Sequence, residues 1–270
     1  MDRRLTPATT RIAHTSLRGQ VDVPAFTDGT KLQIAAPLVD LLRSPFGTRD
    51  RQLWLGETFT VIDRDQSHAF GFAEKDGYCG WLPDAALTEA LLPTHWIASP
   101  GTHLYPESRA ASPQIAAVPM GARVTVTGQS GKYAETRQGF IPASHLLPLG
   151  EYLADPVAVA EKFLHTPYLW GGNSRAGLDC SGLAQITHHA CGITIPGDAD
   201  LQETAGHIVQ GEFRRGDLLF WKGHVALAVN TTTLIHANGH TMSVAYEDIP
   251  SAIARIETAE NAPLRSHRRL

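Results

Sequence analysis

Cysteine is scarce in this chain. Only Cys79, Cys180 and Cys191 occur among 270 residues, an odd and sparse set that argues against a disulfide framework and fits a reducing compartment. Long apolar runs are missing as well. No stretch approaches the roughly 18 apolar residues of a membrane span. After Met1-Asp2-Arg3-Arg4-Leu5-Thr6-Pro7 there is no run of about 7–15 apolar residues such as a secretory signal carries. The expectation is therefore a cytoplasmic protein without a membrane partner. Nor is there an excess of positive charge. Lys and Arg total 23 against 27 Asp and Glu, a formal charge of −4, which gives no electrostatic footprint for nucleic acid. Arg265, Arg268 and Arg269 near the C-terminus are too few to alter that. Hydrophobic residues make up 43% and charged residues 19%, as in ordinary globular proteins, and the length suffices for two or three cores.

An internal repeat is present in the first half. Gly80-Trp81-Leu82-Pro83-Asp84-Ala85-Ala86-Leu87 reads against Gly139-Phe140-Ile141-Pro142-Ala143-Ser144-His145-Leu146, 59 positions on. Upstream, Gly56-Glu57-Thr58-Phe59-Thr60-Val61-Ile62 reads against Gly121-Ala122-Arg123-Val124-Thr125-Val126-Thr127. Both units alternate β-branched strand residues between Gly, Asp and Pro turns. Each unit of about 60 residues suits a small β-barrel.

After Leu149-Gly150 the pattern turns helical. Val157, Ala160, Glu161, Phe163 and Leu164 predict a first helix, with Asp155 as N-cap and Pro156 in the first turn. The aromatic loop Pro167-Tyr168-Leu169-Trp170-Gly171-Gly172 follows. A second helix is predicted from Cys180, with Leu183 and Ile186 on one face and a stop at Gly192. Strands follow at 218–221, 224–229 and 234–237. Helices followed by consecutive strands read as α+β.

Cys180 is the residue with chemistry in view. It opens the second helix in Asp179-Cys180-Ser181-Gly182, where free backbone N–H groups and the positive end of the macrodipole are expected to lower its pKa and favour the nucleophilic thiolate. Cys79 and Cys191 lack that setting and read as small buried hydrophobes. A nucleophilic thiol needs a base. Of 13 histidines, His224 and His236 lie in strands, and the neighbours of His224 on its face, Ala226 and Ala228, are small enough to let a helix terminus dock. His236 shares that face only if the intervening loop has an odd number of residues or the hairpin is bulged.

Together these residues resemble a known family. The run Pro167 to Gly172, the run Gly177-Leu178-Asp179-Cys180-Ser181-Gly182, then Gly223-His224-Val225-Ala226-Leu227 and Ile235-His236-Ala237 are similar to the NlpC/p60-type papain-like cysteine peptidases of bacterial cell-wall metabolism. The paired repeats resemble the SH3-like domains of the subgroup that cleaves γ-D-glutamyl bonds in muropeptides. The resemblance implies that Cys180 is the nucleophile, His224 the base, His236 the residue setting its tautomer, and Tyr168 an oxyanion donor. It implies that Asp179 and Ser181 hold the free amine of an N-terminal L-Ala, that Glu57 and Tyr78 line the site from the first SH3-like domain, and that Trp170 forms a pocket wall. Asp198 is placed with the substrate-binding residues. Beside it stands Gly197, where relatives carry a basic residue. No cofactor and no metal are implied.

The expected architecture is an arm at 1–29, two small SH3-like β-barrels at 30–90 and 91–149, and an α+β papain-like domain at 150–270. The expected reaction is hydrolysis of the bond between γ-D-glutamate and an L-diamino acid (L-Lys or meso-diaminopimelate) in muropeptides with a free N-terminal L-Ala, releasing L-Ala-γ-D-Glu during wall recycling. Three other readings compete. One is a cell-wall peptide-binding protein with a degenerate peptidase domain. Another is a zinc hydrolase, although the spacings between Cys180, His224 and His236 match no compact zinc pattern. The last is an acyltransferase on a similar fold.

Overall fold

The computed structural model describes residues 1–270 and divides into two compact units, Met1–Leu149 and Gly150–Leu270. The centre of the first unit is a seven-stranded antiparallel sheet. Its order is Arg49–Trp54, Leu38–Leu42, Cys79–Pro83, His68–Ala73, Thr58–Asp65, Thr30–Ile34, Leu87–Glu89. Alternation along these strands sends Ile34, Leu41, Leu53, Phe59 and Leu82 into one core. The pairing of Thr58–Asp65 with His68–Ala73 slips at Val61/Asp63, a bulge that bends the strand and increases its twist.

Residues 1–29, the expected arm, lie against this sheet. Ile12–His14 pairs in parallel with Ala25–Thr27. Arg3 grips Asp50 through two hydrogen bonds of 2.6 and 3.0 Å, Arg11 donates to Asp63 at 3.0 Å, and the Cys79 N–H donates to the Arg4 carbonyl at 2.7 Å.

Residues 91–149 form three small sheets. One holds Arg123–Val124, His95–Ile97 and Leu146–Pro148, another Gly101–Leu104 and Ala116–Pro119, and the third Val126–Ser130, Tyr133–Thr136 and Gly139–Pro142. A local unit recurs across the repeat. The strand Cys79–Pro83 passes through a 3-10 turn, Asp84–Ala86, into the strand Leu87–Glu89. Gly139–Pro142 passes through Ala143–His145 into Leu146–Pro148. In both, a proline makes the corner, Pro83 at φ −60° and Pro142 at φ −52°, as its fixed φ allows.

The second unit packs helices on a six-stranded antiparallel sheet. The sheet order is His207–Ile208, Ser266–Arg269, Leu218–Trp221, His224–Ala228, Thr233–Asn238, Ser243–Asp248. The helices are α1 (Pro156–Glu161), α2 (Cys180–Ala190), α3 (Ala199–Gln202) and α4 (Ile249–Glu260). Asp155 caps α1 by accepting the Val157 N–H at 2.9 Å. The helix ends sooner than its apolar spacing predicts. After Glu161 the chain tightens into turns that still bury Phe163 completely. Helix α2 stops where Gly192 takes φ 76°, a left-handed conformation suited to glycine. Leu219, Trp221, Ala226, Ala228 and Leu234 of the sheet form a core with Ile249, Ala252 and Ile256 around α4.

The last strand, Ser266–Arg269, is threaded between His207–Ile208 and Leu218–Trp221. It is anchored on Asp217, whose side chain is fully buried. His267 Nε2 approaches that carboxylate to 2.6 Å, and Arg269 donates to both its oxygens at 2.7 and 2.8 Å.

Candidate active site

The site is built on the first turn of α2. Asp179 occupies the N-cap in extended conformation. One of its carboxylate oxygens accepts the Gly182 N–H at 2.6 Å and the Ser181 hydroxyl at 3.0 Å, and the other accepts the Gly171 N–H at 2.8 Å. This carboxylate therefore ties the aromatic loop to the helix start. The two segments meet so closely that a Cβ on Gly182 would lie 2.4 Å from the Gly172 carbonyl oxygen and 2.5 Å from the Asn173 side chain. The absence of a side chain at Gly182 is what admits this loop. Ser181 is buried, and its carbonyl accepts from Gln202 Nε2 of α3 at 2.9 Å.

Cys180 is 7% exposed, with its sulfur 3.9 Å from the carbonyl oxygen of Gly223, the residue before His224. The N–H groups of Val225, Ser181 and Cys180 itself are directed at the sulfur and favour thiolate, as the helix-start argument expects. They are outweighed. Burial first, and the charge of Asp179 second, push the thiol up to about 12. The expected net lowering is therefore corrected: in this closed setting the sulfur keeps its proton unless a neighbouring base takes it.

The candidate base, His224, directly follows Gly223, whose carbonyl faces the sulfur. Leu227 pairs with Ile235 and Ala228 with Leu234, and the Val229 N–H donates to the Thr233 carbonyl. This leaves a three-residue loop at 230–232. Its count is odd, so His224 and His236 fall on one face of the sheet. His224 Nε2 lies 2.9 Å from His236 Nδ1, with ring centroids 5.1 Å apart at 67°. With Nε2 engaged by His236, Nδ1 is the nitrogen of His224 left for another partner. Burial lowers the His224 pKa to about 3, with further lowering by His236 and Arg255, and burial also lowers that of His236. Both imidazoles are neutral at physiological pH. Transfer of the thiol proton to His224 would leave the net charge of the pocket unchanged.

Tyr168 is half-buried, and its backbone N–H donates to the Met242 carbonyl at 2.9 Å. Burial, then the charges of Cys180 and Asp179, raise its phenol pKa, so the hydroxyl remains a donor. Trp170, two residues on, is 67% exposed. Asp198 immediately precedes α3 and makes no side-chain capping bond to it, and Gly197 beside it is buried.

Glu57 and Tyr78 lie in the first unit, and their surroundings differ from those expected. Glu57 is 3% exposed. Its carboxylate accepts from Lys75 Nζ at 2.6 Å and from the Trp54 N–H at 3.0 Å, so it already has an internal ammonium. Tyr78 is 2% exposed within the barrel core, under the Arg51 guanidinium at 5.1 Å. Buried strand and turn positions explain both. A carboxylate drawn below the surface needs a cation, and an aromatic ring in a small barrel is core volume.

Two residues the sequence reading did not single out, Glu247 and Arg255, adjoin His236. Glu247 Oε2 is 3.1 Å from His236 Nε2, and Arg255 donates to both Glu247 oxygens at 2.8 Å. The period of two could have flagged Glu247, because Ala245 pairs with His236 and Glu247 is its neighbour on the same face. No group of three or more His, Cys, Asp or Glu side chains is arranged to hold a metal ion.

A thiol opening a helix, docked on an antiparallel sheet that carries two hydrogen-bonded imidazoles, defines a cysteine peptidase domain. Residues 165–259 match the NlpC/P60 family, and residues 41–87 match the bacterial dipeptidyl-peptidase Sh3 domain. The chain carries an NlpC/P60 domain and, ahead of it, an SH3 domain of the bacterial dipeptidyl-peptidase kind. It is 27% identical over 281 residues to a gamma-D-glutamyl-L-lysine dipeptidyl-peptidase of Bacillus cereus, covering 86% of this chain and 81% of that one. It is 37% identical over 98 residues to dipeptidyl-peptidase 6 of Lysinibacillus sphaericus, covering 36% of each. The crystal structure of an NlpC/P60 family protein from Bacillus cereus shares the fold, with a TM-score of 0.77 and 21% identity over 89% of this chain and 99% of that one.

Proposed function

We propose that this protein hydrolyses the γ-D-glutamyl–L-diamino acid bond of cell-wall muropeptides bearing a free N-terminal L-Ala, releasing L-Ala-γ-D-Glu. The observation that carries the reading is the pair of imidazoles 2.9 Å apart on the sheet, with the Cys180 sulfur against the backbone of Gly223 and Val225 on either side of His224. The name and coverage of the Bacillus cereus relative support the choice of bond, and so does the match to a dipeptidyl-peptidase SH3 domain.

In this reading the Cys180 proton passes to His224 Nδ1 as the sulfur attacks the γ-carbonyl carbon. The Tyr168 hydroxyl and N–H groups of the α2 start stabilise the oxyanion. His224 then returns the proton to the departing amine, leaving a thioester that water hydrolyses with His224 again as base. Asp179 and Ser181 place negative potential near the substrate ammonium. Trp170 supplies an exposed aromatic wall, and Asp198 lies at the α3 end of the site. Residues 91–149 are assigned as a second SH3-like domain, a reading supported by the recurring strand–turn–strand corner. The three unpaired cysteines suit work in the cytoplasm on peptides recycled from the wall.

Mass spectrometry of a digest of L-Ala-γ-D-Glu-diamino acid-D-Ala tests the reaction. The expected products are L-Ala-γ-D-Glu and the diamino acid-D-Ala dipeptide, with slower turnover once the N-terminus is acetylated. Cleavage at another bond, or no cleavage, overturns the assignment.

A further inference from the structure

We propose that Glu247 is a positioning residue that fixes the order of protons along the row Cys180, His224 and His236, and that Arg255 holds it there. The inference rests on the reading of Cys180 as nucleophile and His224 as base, and it extends that row by one carboxylate and one guanidinium.

The argument is one of donors and acceptors. A neutral imidazole has one N–H and one lone pair, and the partner of one nitrogen decides the role of the other. Glu247 Oε2 stands 3.1 Å from His236 Nε2. The contact lacks hydrogen-bond geometry, yet an ionised carboxylate this close repels a ring lone pair and attracts an N–H, so it favours the proton on Nε2 of His236. His236 Nδ1 is then a lone pair, and it faces His224 Nε2 at 2.9 Å. That nitrogen must therefore be the donor, and His224 Nδ1 is left as the lone pair toward the sulfur. One fixed charge at the end of the row thus selects the tautomer of both rings. Without it, each ring could turn its proton the other way, and His224 would present an N–H to a thiol that needs a base.

The carboxylate is itself held. Arg255 of α4 binds it in a fork, 2.8 Å to each oxygen, and with His236 keeps its pKa down at about 2, so it remains an acceptor across the working pH range. Arg255 also offsets its charge. Glu247 favours the protonated form of His224, whereas Arg255 and His236 disfavour it. At His236, likewise, Glu247 favours the protonated form, whereas Arg255 and His240 of the neighbouring hairpin loop disfavour it. The pair therefore imposes direction on the protons without turning His224 into a permanent imidazolium. Register places Glu247 for this task. His236 pairs with Ala245 and Leu234 with Glu247, so Glu247 is the diagonal neighbour on the histidine face, within side-chain reach.

The test uses the full chain and the isosteric variant Glu247→Gln, with nitrogen-15 NMR of the histidine rings, steady-state peptide turnover and alkylation of Cys180 by iodoacetamide followed by peptide mass spectrometry. In the wild type His236 is expected to carry its proton on Nε2, and His224 likewise. In Glu247→Gln the carboxamide can donate as well as accept, so His236 is expected to show a mixture of tautomers. Turnover should fall at least about tenfold through kcat with little change in KM, and Cys180 alkylation near neutral pH should slow in parallel. Adding formate to Glu247→Ala should restore part of the rate. A wild-type His236 protonated on Nδ1 overturns the proposal without any variant. So does a Glu247→Gln enzyme with unchanged kcat, or one that loses rate while His236 keeps its tautomer. The NMR and alkylation readings need no substrate, so a wrong choice of scissile bond is told apart from a wrong role for Glu247.

Discussion

Lys75 Nζ lies 2.6 Å from Glu57 Oε1, with 7% and 4% of the two side chains exposed. The same ammonium sits 3.9 Å over the Trp54 ring, a cation–π contact that adds to the pair. Breaking a buried ion pair from one side strands the other charge, at a cost of about 3–5 kcal/mol. Lys75→Met should therefore destabilise the first unit by about that much in urea unfolding. Joining it to Glu57→Gln should recover a substantial part, and a double-mutant cycle with no coupling would remove the pair from the account of stability.

His224 and His236 make acid the weak side of the catalytic unit. Both are buried as neutral rings, with folded pKa values below the ordinary histidine value. The unfolded chain takes up protons as pH falls through about 6.5. The folded chain does not until about 3 at His224. Stability therefore drops across that window, by up to about 1.4 kcal/mol per pH unit for each ring. Chemical unfolding of His224→Gln at pH 7 and 4.5 should show a smaller loss than in the wild type. An equal loss in both proteins refutes the assignment.

A methyl group at position 182 has nowhere to go. Gly182→Ala brings a Cβ within 2.4 Å of a backbone carbonyl, and neither the loop nor the helix can yield without moving Cys180. The expected cost is about 1–3 kcal/mol of stability, with a larger loss of turnover than the melting temperature alone predicts. Near-normal kcat in a folded Gly182→Ala protein would show that the loop contact does not position the nucleophile.

Cys180→Ala should abolish turnover and leave the fold intact. The substitution removes one atom, whose partners are the Gly223 carbonyl at 3.9 Å and nearby backbone N–H groups, so the loss of packing is small. Thermal melts within a few degrees of the wild type, with no product after prolonged incubation, are the expected pair of results. Residual peptide cleavage at a measurable rate would move the nucleophile elsewhere.

Local signals in the chain were readable residue by residue. Asp155 and Pro156 announce the start of α1, Gly192 announces the end of α2, and the Gly-aromatic-aliphatic-Pro run marks a strand that turns a corner in both copies. These are short-range matters of dihedral angle and orphan hydrogen bonds. What could not be read depends on distance in sequence. The facing of His224 and His236 hangs on a three-residue loop whose length is ambiguous among Asn230, Thr231, Thr232 and Thr233. The burial of Glu57 depends on Lys75, 18 residues away, and no local rule pairs them. The thiol of Cys180 was read from its helix alone, whereas the sheet that covers it dominates its titration. Glu247 and Arg255 come from a strand and a helix, and only their packing makes them neighbours.

The threading of Ser266–Arg269 into the middle of the catalytic sheet has a consequence for synthesis on the ribosome. The strand Leu218–Trp221 lacks one of its two neighbours, and Asp217 lacks both His267 and Arg269, until Arg269 has cleared the exit tunnel. The first unit is contiguous in sequence and has all its strands much earlier, so folding is expected to proceed in two instalments. A nascent chain halted before His267 would hold a finished barrel and an open, adhesive sheet edge.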